Sequence, residues 1–246
     1  MSFGHNNQPT SSAKTILIAT TLLIIATAGI THSVVADVWL DAHYDSRLEY
    51  ADDKVDAIKL IMENECLGGM RYTVYVFGDW YKDWIIKYSL PYAIVWHIAS
   101  HGGFDSLGNN FLLTHYNELI YGQEIPDLTN VHEGGPMYLA FASACYSGHP
   151  RVWSRTYMLY QGFLDKGALA YMGYMYTVGD YEAFLFARWF YHYAAGDDGI
   201  IHTVGEAKTL AKYMVPAVKG NIQLYGASNI VIVDGYYFVN TCVKGA

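Results

Sequence analysis

Cysteine and basic residues are scarce in this sequence, and each shortage excludes a class of protein. Three cysteines occur in 246 residues, Cys66, Cys145 and Cys242. At most one disulfide can therefore form within the chain, which excludes a disulfide-built scaffold. Lys and Arg total 15 against 23 Asp and Glu, giving a formal net charge of −8. The sequence contains no basic run of the kind that follows a phosphate backbone, which argues against a nucleic-acid partner.

An apolar run of full membrane-spanning length is also missing. The nearly unbroken run from Ile16 to Ile30 has about fifteen residues, whereas a helix needs roughly twenty to cross a bilayer. A polar segment precedes this run and small residues follow at 34–36, as in an export signal. We predict that residues 1–36 are a cleaved signal peptide, with an uncleaved membrane anchor or a buried core helix as alternatives. The first two interpretations place residues 37–246, a single domain, outside the cytoplasm, with membrane contact only through an uncleaved segment.

Strand and helix patterns alternate along residues 37–246. Short apolar or β-branched runs predict strands, and apolar residues at helical spacing predict helices. The predicted strands are 37–40, 72–77, the apolar runs that begin at 93 and 137, 168–176 and 230–233. The predicted helices are 51–67, 79–88 (helix or turn), 116–121, 152–164, 180–195 and a segment that starts at the capping box 203–206 and stops before Pro216. This alternation predicts an α/β fold, a three-layer α/β/α sandwich with a mostly parallel central sheet.

Two of the apolar runs end in side chains that can perform chemistry. The first runs from Ala93 to His101, and the second runs from Met137 to Cys145. Short apolar runs bounded by glycine are typical of a parallel sheet that is covered on both faces. In such sheets the functional groups gather beyond the carboxyl ends of the strands. We therefore expect His101 and Cys145 to meet at one edge of the sheet.

A histidine beside a cysteine is the minimum requirement for nucleophilic catalysis by a thiol. A thiol is mostly protonated at neutral pH, so it needs a neighbour that takes its proton, and His101 is the candidate base. Gly102 and Gly103 let the backbone pass close to a substrate. The N–H groups of Gly102 and Cys145 are candidate donors to a developing oxyanion. The alternative is an inert buried thiol and an ordinary loop histidine, but the matched strand-end positions favour catalysis.

The remaining histidines and cysteines have simpler interpretations. His97 lies four residues before His101, but Ile98 occupies the position where the zinc-peptidase motif has glutamate, and the segment is strand-like. We therefore interpret His97 as a core histidine and predict neither a metal nor another cofactor. His149 either contacts substrate or is an ordinary surface residue. Cys66 and Cys242 either form a disulfide or are two isolated buried thiols.

The two motifs resemble those of the clan CD cysteine peptidases. His-Gly after one apolar strand, then Ala-Cys-x-Ser-Gly at 144–148 after the next, is the pattern of the caspase-hemoglobinase fold. That group includes caspases, legumains, clostripain, separases and gingipains. The runs 167–173 and 205–207 are most similar to the gingipain branch. The resemblance implies that Cys145 is the nucleophile, that His101 is the base or proton shuttle, and that the backbone of these two motifs forms the oxyanion hole.

The resemblance covers roughly residues 37–233 and implies a caspase-like domain over 37–246. Ser143 occupies the position that is glutamine in caspases and acidic in several relatives specific for arginine or lysine, so the residue specificity stays open. Relatives build the side-chain pocket from the segment corresponding to 173–180. Ser143, Tyr174 and Asp180 are therefore candidate substrate contacts, although Asp180 is equally suited to capping the next helix.

These observations lead to one main functional prediction and one rival. The main prediction is an exported cysteine endopeptidase that cleaves a protein or peptide substrate through a thioester on Cys145. The rival is a cell-surface binding or structural module that keeps the caspase-like fold without turnover. An accessible, reactive thiol is required by the first and not by the second.

Overall fold

The computed structural model describes residues 38–64, 72–131, 135–150 and 156–232. The predicted export segment and two of the three cysteines, Cys66 and Cys242, lie outside these ranges. Across the ranges that are described, no helix combines the length and the apolar character needed to cross a membrane. The predictions for the amino-terminal segment and for Cys66 and Cys242, as a disulfide or as two isolated thiols, therefore stay predictions.

A six-stranded sheet forms the middle layer, and its strand order is β2-β1-β3-β7-β8-β9. All neighbouring pairs are parallel except β8 with β9, which is antiparallel. The six strands are β1 (Val38–Tyr44), β2 (Tyr72–Gly78), β3 (Val95–Ala99), β7 (Leu139–Ser143), β8 (Ala170–Tyr174) and β9 (Ile222–Gly226). A mostly parallel central sheet was the prediction from the sequence, and it is confirmed.

Helices cover both faces of this sheet. They are α1 (Ala51–Asn64), α2 (Lys82–Trp84) continuing as a π-helix (Ile85–Ser89), α3 (Leu159–Asp165), α4 (Asp180–Ala194) and α5 (Val204–Met214). Short 3-10 helices occupy Gly122–Glu124 and Pro216–Val218. The core on one face is formed with α1, α4 and α5, and the core on the other with α3 and the segment around Ile85.

Strand β7 shows why the central strands have continuous apolar sequences. Its five residues are all buried. Leu139 and Phe141 belong to the core on the α1 face, whereas Ala140 and Ala142 belong to the core on the α3 face. Because successive side chains point to opposite faces of a sheet, a strand covered on both sides must be apolar throughout. This pattern produces the three-layer sandwich.

A second, three-stranded antiparallel sheet follows β3, in the order β4-β5-β6. Its strands are β4 (His101–Phe104), β5 (Asn110–Leu113) and β6 (Leu119–Tyr121). The prediction of a helix over 116–121 is therefore wrong. Asn117 has φ 62° in the turn before β6, a conformation that interrupts a right-handed helix, and Leu112 and Ile120 are both buried.

Two further predictions at the carboxyl-terminal side have different outcomes. The capping box is confirmed, because Glu206 N–H donates to Thr203 Oγ1 at 3.3 Å and Thr203 N–H donates to the Glu206 carboxylate at 2.9 Å. The strand predicted at 230–233 is wrong over the described positions 230–232, which are not in a strand. Within the described residues, the strand nearest the carboxyl terminus is β9, whose Leu224 pairs with Met172.

Candidate active site

The register of β3 and β7 brings the two reactive residues to the same level. The strands are parallel neighbours, and Ala99 pairs with Ser143. His101 and Cys145 each lie two residues beyond this pair, so both emerge at the same carboxyl edge of the sheet. This arrangement is the one expected from the two apolar runs.

Gly102 lies directly against the backbone of the nucleophile loop. A Cβ atom at Gly102 would overlap the carbonyl oxygen of Cys145, and it would lie 3.2 Å from the Cβ of Ala144. No side chain fits there, because this carbonyl oxygen belongs to the backbone and cannot rotate away. The glycine after His101 therefore lets the β4 hairpin and the cysteine loop touch, and their contact keeps His101 beside the Cys145 peptide.

The loop that carries Cys145 is a tight turn held by Ser147. The Ser147 hydroxyl lies 2.7 Å from the carbonyl oxygen of Ala142 and accepts a hydrogen bond from Tyr174 N–H at 3.2 Å. Tyr146, next to the cysteine, has φ 58°, a left-handed conformation that is costly for a bulky side chain. Strained backbone of this kind persists where the surroundings hold it in place, and it is frequent at functional sites.

A buried asparagine and a buried tyrosine donate hydrogen bonds to backbone carbonyl groups of the same loop. Asn110 Nδ2 donates to the carbonyl oxygens of Tyr146 at 2.8 Å and Ser147 at 3.1 Å. Tyr171 Oη donates to the Ser147 carbonyl at 3.0 Å. These donors belong to β5 and β8, so the position of Cys145 is set by neighbouring strands as well as by its own loop.

The thiol of Cys145 is half-buried and lies against the segment after β8. Its Sγ is 3.5 Å from Val178 N and 3.8 Å from Val178 O. The amides on both sides of Cys145 are bonded, since Ala144 N–H donates to Ala142 O and Tyr146 N–H donates to Tyr176 O. The Cys145 amide, in contrast, donates to no acceptor among the described residues. It is therefore available for a ligand oxygen, as an oxyanion-hole donor must be.

The side chain of His101 is exposed. Its imidazole makes no hydrogen bond to any residue that the structure describes, and Ser100 Oγ donates to the His101 backbone carbonyl at 3.0 Å. The ring is thus held only through its backbone. A general base whose contacts tighten when substrate binds is consistent with this geometry.

Lys54 is a component of the site that the sequence patterns did not identify. This side chain of α1 is buried, and its Nζ donates to Ser143 Oγ at 3.1 Å and lies 3.6 Å from Asp180 Oδ1. Burial lowers the pKa of Lys54 to about 8, while the neighbouring Asp180 carboxylate and the Cys145 thiolate both act to raise it. The sequence does contain a sign that Lys54 is buried, because it lies at intervals of four residues from Ile58 and Met62 on one helix face.

The three candidate substrate residues are buried or half-buried. Ser143 and Tyr174 are both buried, and burial raises the pKa of the Tyr174 hydroxyl. Asp180 is the first residue of α4, where Gly179 is the N-cap and no side chain caps the helix. Asp180 Oδ2 instead accepts a hydrogen bond from Tyr50 N–H at 2.7 Å. The capping role is therefore excluded, and direct substrate contact stays a prediction for all three.

His97 is a core histidine, as its sequence context predicts. It is fully buried, its ring packs edge-on against Phe141 at 4.7 Å, and Tyr191 Oη lies 3.4 Å from Nδ1. Burial is the main cause that holds the His97 pKa well below its ordinary value. The neutral ring therefore belongs to the core on the α1 face, with Phe141 and Tyr191.

Asp45, Asp79 and His115 form a group of side chains with metal-ligand chemistry. Their ligand atoms lie within 4.8 Å of one another. The Arg47 guanidinium already pairs with Asp45 at 2.6 Å, and His115 Nδ1 lies 2.9 Å from Asp79 Oδ1. These carboxylates therefore have cationic or hydrogen-bonding partners within the protein.

Aromatic rings surround the loop that carries the thiol. The Phe104 ring on the β4 hairpin lies 5.2 Å from the ring of Tyr146 and 5.0 Å from that of His149. Tyr176, after β8, lies 6.0 Å from His149 and is exposed. Partly exposed rings with polar tips suit a surface that binds an extended, amphipathic chain.

Comparisons with known proteins support the fold alone. No family model matches the sequence, and no curated protein matches it. Among solved structures, the chain is similar to the separase of the separase–securin complex from Saccharomyces cerevisiae, with a TM-score of 0.52 and 13% sequence identity. The match covers 78% of this chain but only 12% of the separase chain. The comparison therefore shows that this chain has a fold similar to that of separase, and that the chain spans only a small part of the length of separase.

Proposed function

We propose that this protein is a cysteine endopeptidase of the clan CD type, with Cys145 as nucleophile and His101 as base. The observation that carries the proposal is the contact between the two strand-end turns. Gly102 packs on the Cys145 carbonyl, so the histidine and the thiol share one edge of the sheet. A fold similar to separase supports the class of enzyme, and the gingipain branch is proposed from the sequence motifs alone.

The reaction would proceed by acyl transfer to sulfur. His101 accepts the thiol proton, and the Cys145 sulfur attacks the carbonyl carbon of a peptide bond. The free Cys145 amide, together with that of Gly102, donates to the oxyanion that forms. Collapse of this intermediate expels the amine, which takes the proton from His101, and leaves a thioester. Water then attacks the thioester carbon and gives a proton to His101. The C–S bond breaks, the carboxylic acid product leaves, and His101 returns the proton to the sulfur of Cys145.

We further propose that the substrate is a protein or peptide and that the enzyme works outside the cytoplasm. The exposed rings around the thiol loop support a chain-like substrate. Export rests on the apolar run at 16–30 and the small residues after it, which also leave membrane anchoring as the alternative. Amino-terminal sequencing of exported material distinguishes the two, because a cleaved signal gives a chain that begins near Asp37.

A second candidate, the inactive binding module, is favoured by one feature of the thiol. Among the described residues, Cys145 Sγ has its polar contacts with the Val178 backbone, and none with His101. Hydrolysis of a peptide library by the wild-type chain and by Cys145→Ala separates the candidates. The proposal expects turnover that disappears in Cys145→Ala while thermal unfolding is unchanged. Equal turnover by the two proteins would refute the assignment of Cys145.

A further inference from the structure

Lys54 is a buried charge placed directly behind the candidate nucleophile. Its side chain is 1% exposed, whereas that of Asp180, its ion-pair partner, is 20% exposed. The reaction described above assigns no step to this lysine. A buried ammonium ion is costly to desolvate, and an apolar side chain of similar volume is often equally stable or more stable at such a position. The helix face that Lys54 shares with Ile58 and Met62 is otherwise part of the apolar core.

The two contacts of Lys54 lead from both sides to the thiol. Ser143, which accepts from Lys54 Nζ at 3.1 Å, lies two residues before Cys145. Asp180, at 3.6 Å, lies two residues after Val178, whose backbone contacts the sulfur. The ammonium ion therefore connects α1 to the end of β7 and to the start of α4. These are the two segments that lie next to Cys145 in sequence or in contact.

We propose that Lys54 is a positioning residue of the thiol site, whose buried ammonium ion holds these two segments and stabilises the Cys145 thiolate from the interior side. This inference deepens the proposed function and rests on it. It gives the thiolate a fixed cation within the protein, in addition to the exposed and loosely held His101. Opposite charges placed close together in a poorly solvated region favour each other's ionised forms.

The other groups that face Lys54 do not supply a competing charge at neutral pH. His97 approaches from β3, and burial holds its pKa well below the ordinary value, so it is neutral. Tyr174 of β8 adjoins Ser143, the hydrogen-bond partner of Lys54, and burial raises the pKa of the Tyr174 hydroxyl. Asp180 from α4 and Cys145 are the remaining ionisable neighbours, and both act to raise the pKa of Lys54 against its desolvation. The lysine is therefore predominantly protonated below pH 8, where a thiol peptidase would use it.

The test measures the rate of alkylation of Cys145 by iodoacetamide as a function of pH, located by peptide mass mapping on the full chain. Lys54→Met removes the charge at nearly constant volume, and Lys59→Met is the matched control, because Lys59 is an exposed lysine of the same helix. We expect Lys54→Met to move the pH of half-maximal rate upward by about one unit, a roughly tenfold lower rate at pH 7. Lys59→Met should leave the profile unchanged, and Lys54→Arg should restore much of it.

Thermal unfolding of the same variants separates electrostatics from simple packing. The proposal expects Lys54→Met to lose reactivity while its unfolding temperature is kept or raised. The double variant Lys54→Met with Asp180→Asn leaves no charge unpaired, and it should show the same shifted alkylation profile even if the single variant folds poorly. An unshifted profile in a folded variant, or loss of the fold in both variants, would overturn the proposal. Because alkylation needs no peptide substrate, failure of the peptidase assignment would appear separately, as absent hydrolysis by wild type.

Discussion

Two polar clusters in the interior lie on opposite faces of the same sheet, and they differ in whether a reactive atom adjoins them. The thiol-side cluster, Lys54, Ser143 and Asp180, contains an ion pair and adjoins a half-buried thiol. The Ser89 cluster is closed within the core on the α3 face. Its members are Asp41, His43, Ser89 and Trp96, all of them buried.

Hydrogen bonding within the Ser89 cluster is nearly complete around one hydroxyl. Ser89 Oγ donates to Asp41 Oδ2 at 2.7 Å and accepts from Trp96 Nε1 at 3.2 Å, and His43 Nε2 lies 2.7 Å away. Burial raises the pKa of Asp41 to about 7 and lowers that of His43 to about 3. Both groups are thus pushed toward their neutral forms. The comparison teaches that burial with nearly complete internal hydrogen bonding makes a polar cluster structural. A candidate site differs in having charged side chains next to a reactive atom.

The largest expected effect separates the exposed strand-end histidine from the buried one. His101→Ala should lower turnover by roughly two to four orders of magnitude with little change in stability, because an essential base contributes about that much. His97→Ala should instead lower the free energy of unfolding by about 2 kcal/mol, since it removes a packed ring and a buried hydrogen bond. Turnover and thermal unfolding are measured for both. A stable, inactive His97→Ala beside an active His101→Ala would reverse the assignment.

A second prediction concerns the contact between the two strand-end turns. Gly102→Ala should abolish turnover and lower stability, because its methyl group would overlap the Cys145 carbonyl oxygen. Gly103→Ala is the matched control, since the nearest atom to its methyl group is Cζ of the Phe111 side chain at 3.1 Å, which can move. We expect Gly103→Ala to keep most of its turnover. Similar turnover in the two variants would mean that the hairpin contact does not position His101.

The smallest expected effect is a pH dependence of stability that arises in the Ser89 cluster. The folded-state pKa of Asp41, about 7, lies above its value in the unfolded chain. The stability that the protonated Asp41 side chain contributes is therefore fully present near pH 4. The free energy of unfolding then falls by up to about 4 kcal/mol as the pH rises through 7. His43 acts in the opposite direction between about pH 3 and 6.5, so the two partly cancel in the wild type.

The variant Asp41→Asn isolates the contribution of Asp41 to the pH dependence of stability. The difference in free energy of unfolding between wild type and Asp41→Asn should fall steadily from pH 4 to pH 7, as measured by urea denaturation at each pH. The rate of Cys145 alkylation should stay the same, because the Ser89 cluster lies on the other face of the sheet. A difference that is constant with pH would show that Asp41 is ionised in the folded chain throughout this range.

The predictable part of the fold came from strands that are buried on both faces. The apolar runs before His101 and Cys145 could be recognised because a two-sided core demands continuous apolar sequence. Their pairing as parallel neighbours then places both residues at one edge of the sheet. The hairpin sheet after His101 was not predicted, because short half-exposed strands such as Leu119–Tyr121 have no distinct periodicity.

The sequence patterns also did not predict the ion pair between Lys54 and Asp180 on the interior side of the site. Lys54 and Asp180 are 126 residues apart in sequence and come together only when α1 and α4 pack on the same face. Local sequence patterns cannot predict a contact between residues so far apart in the chain. A lysine on an otherwise apolar helix face is the local sign that could have drawn attention to Lys54, and it indicates burial with a partner without saying which partner.

The central claim, that His101 activates Cys145, is tested most directly by covalent labelling of the full chain with a peptide carrying a thiol-reactive electrophile at neutral pH. The account predicts that wild type is modified at Cys145, as located by mass mapping, that Cys145→Ala is not modified at this position, and that His101→Ala reacts far more slowly. Wild-type protein that leaves Cys145 unmodified, or a His101→Ala variant that is labelled at the wild-type rate, would contradict it.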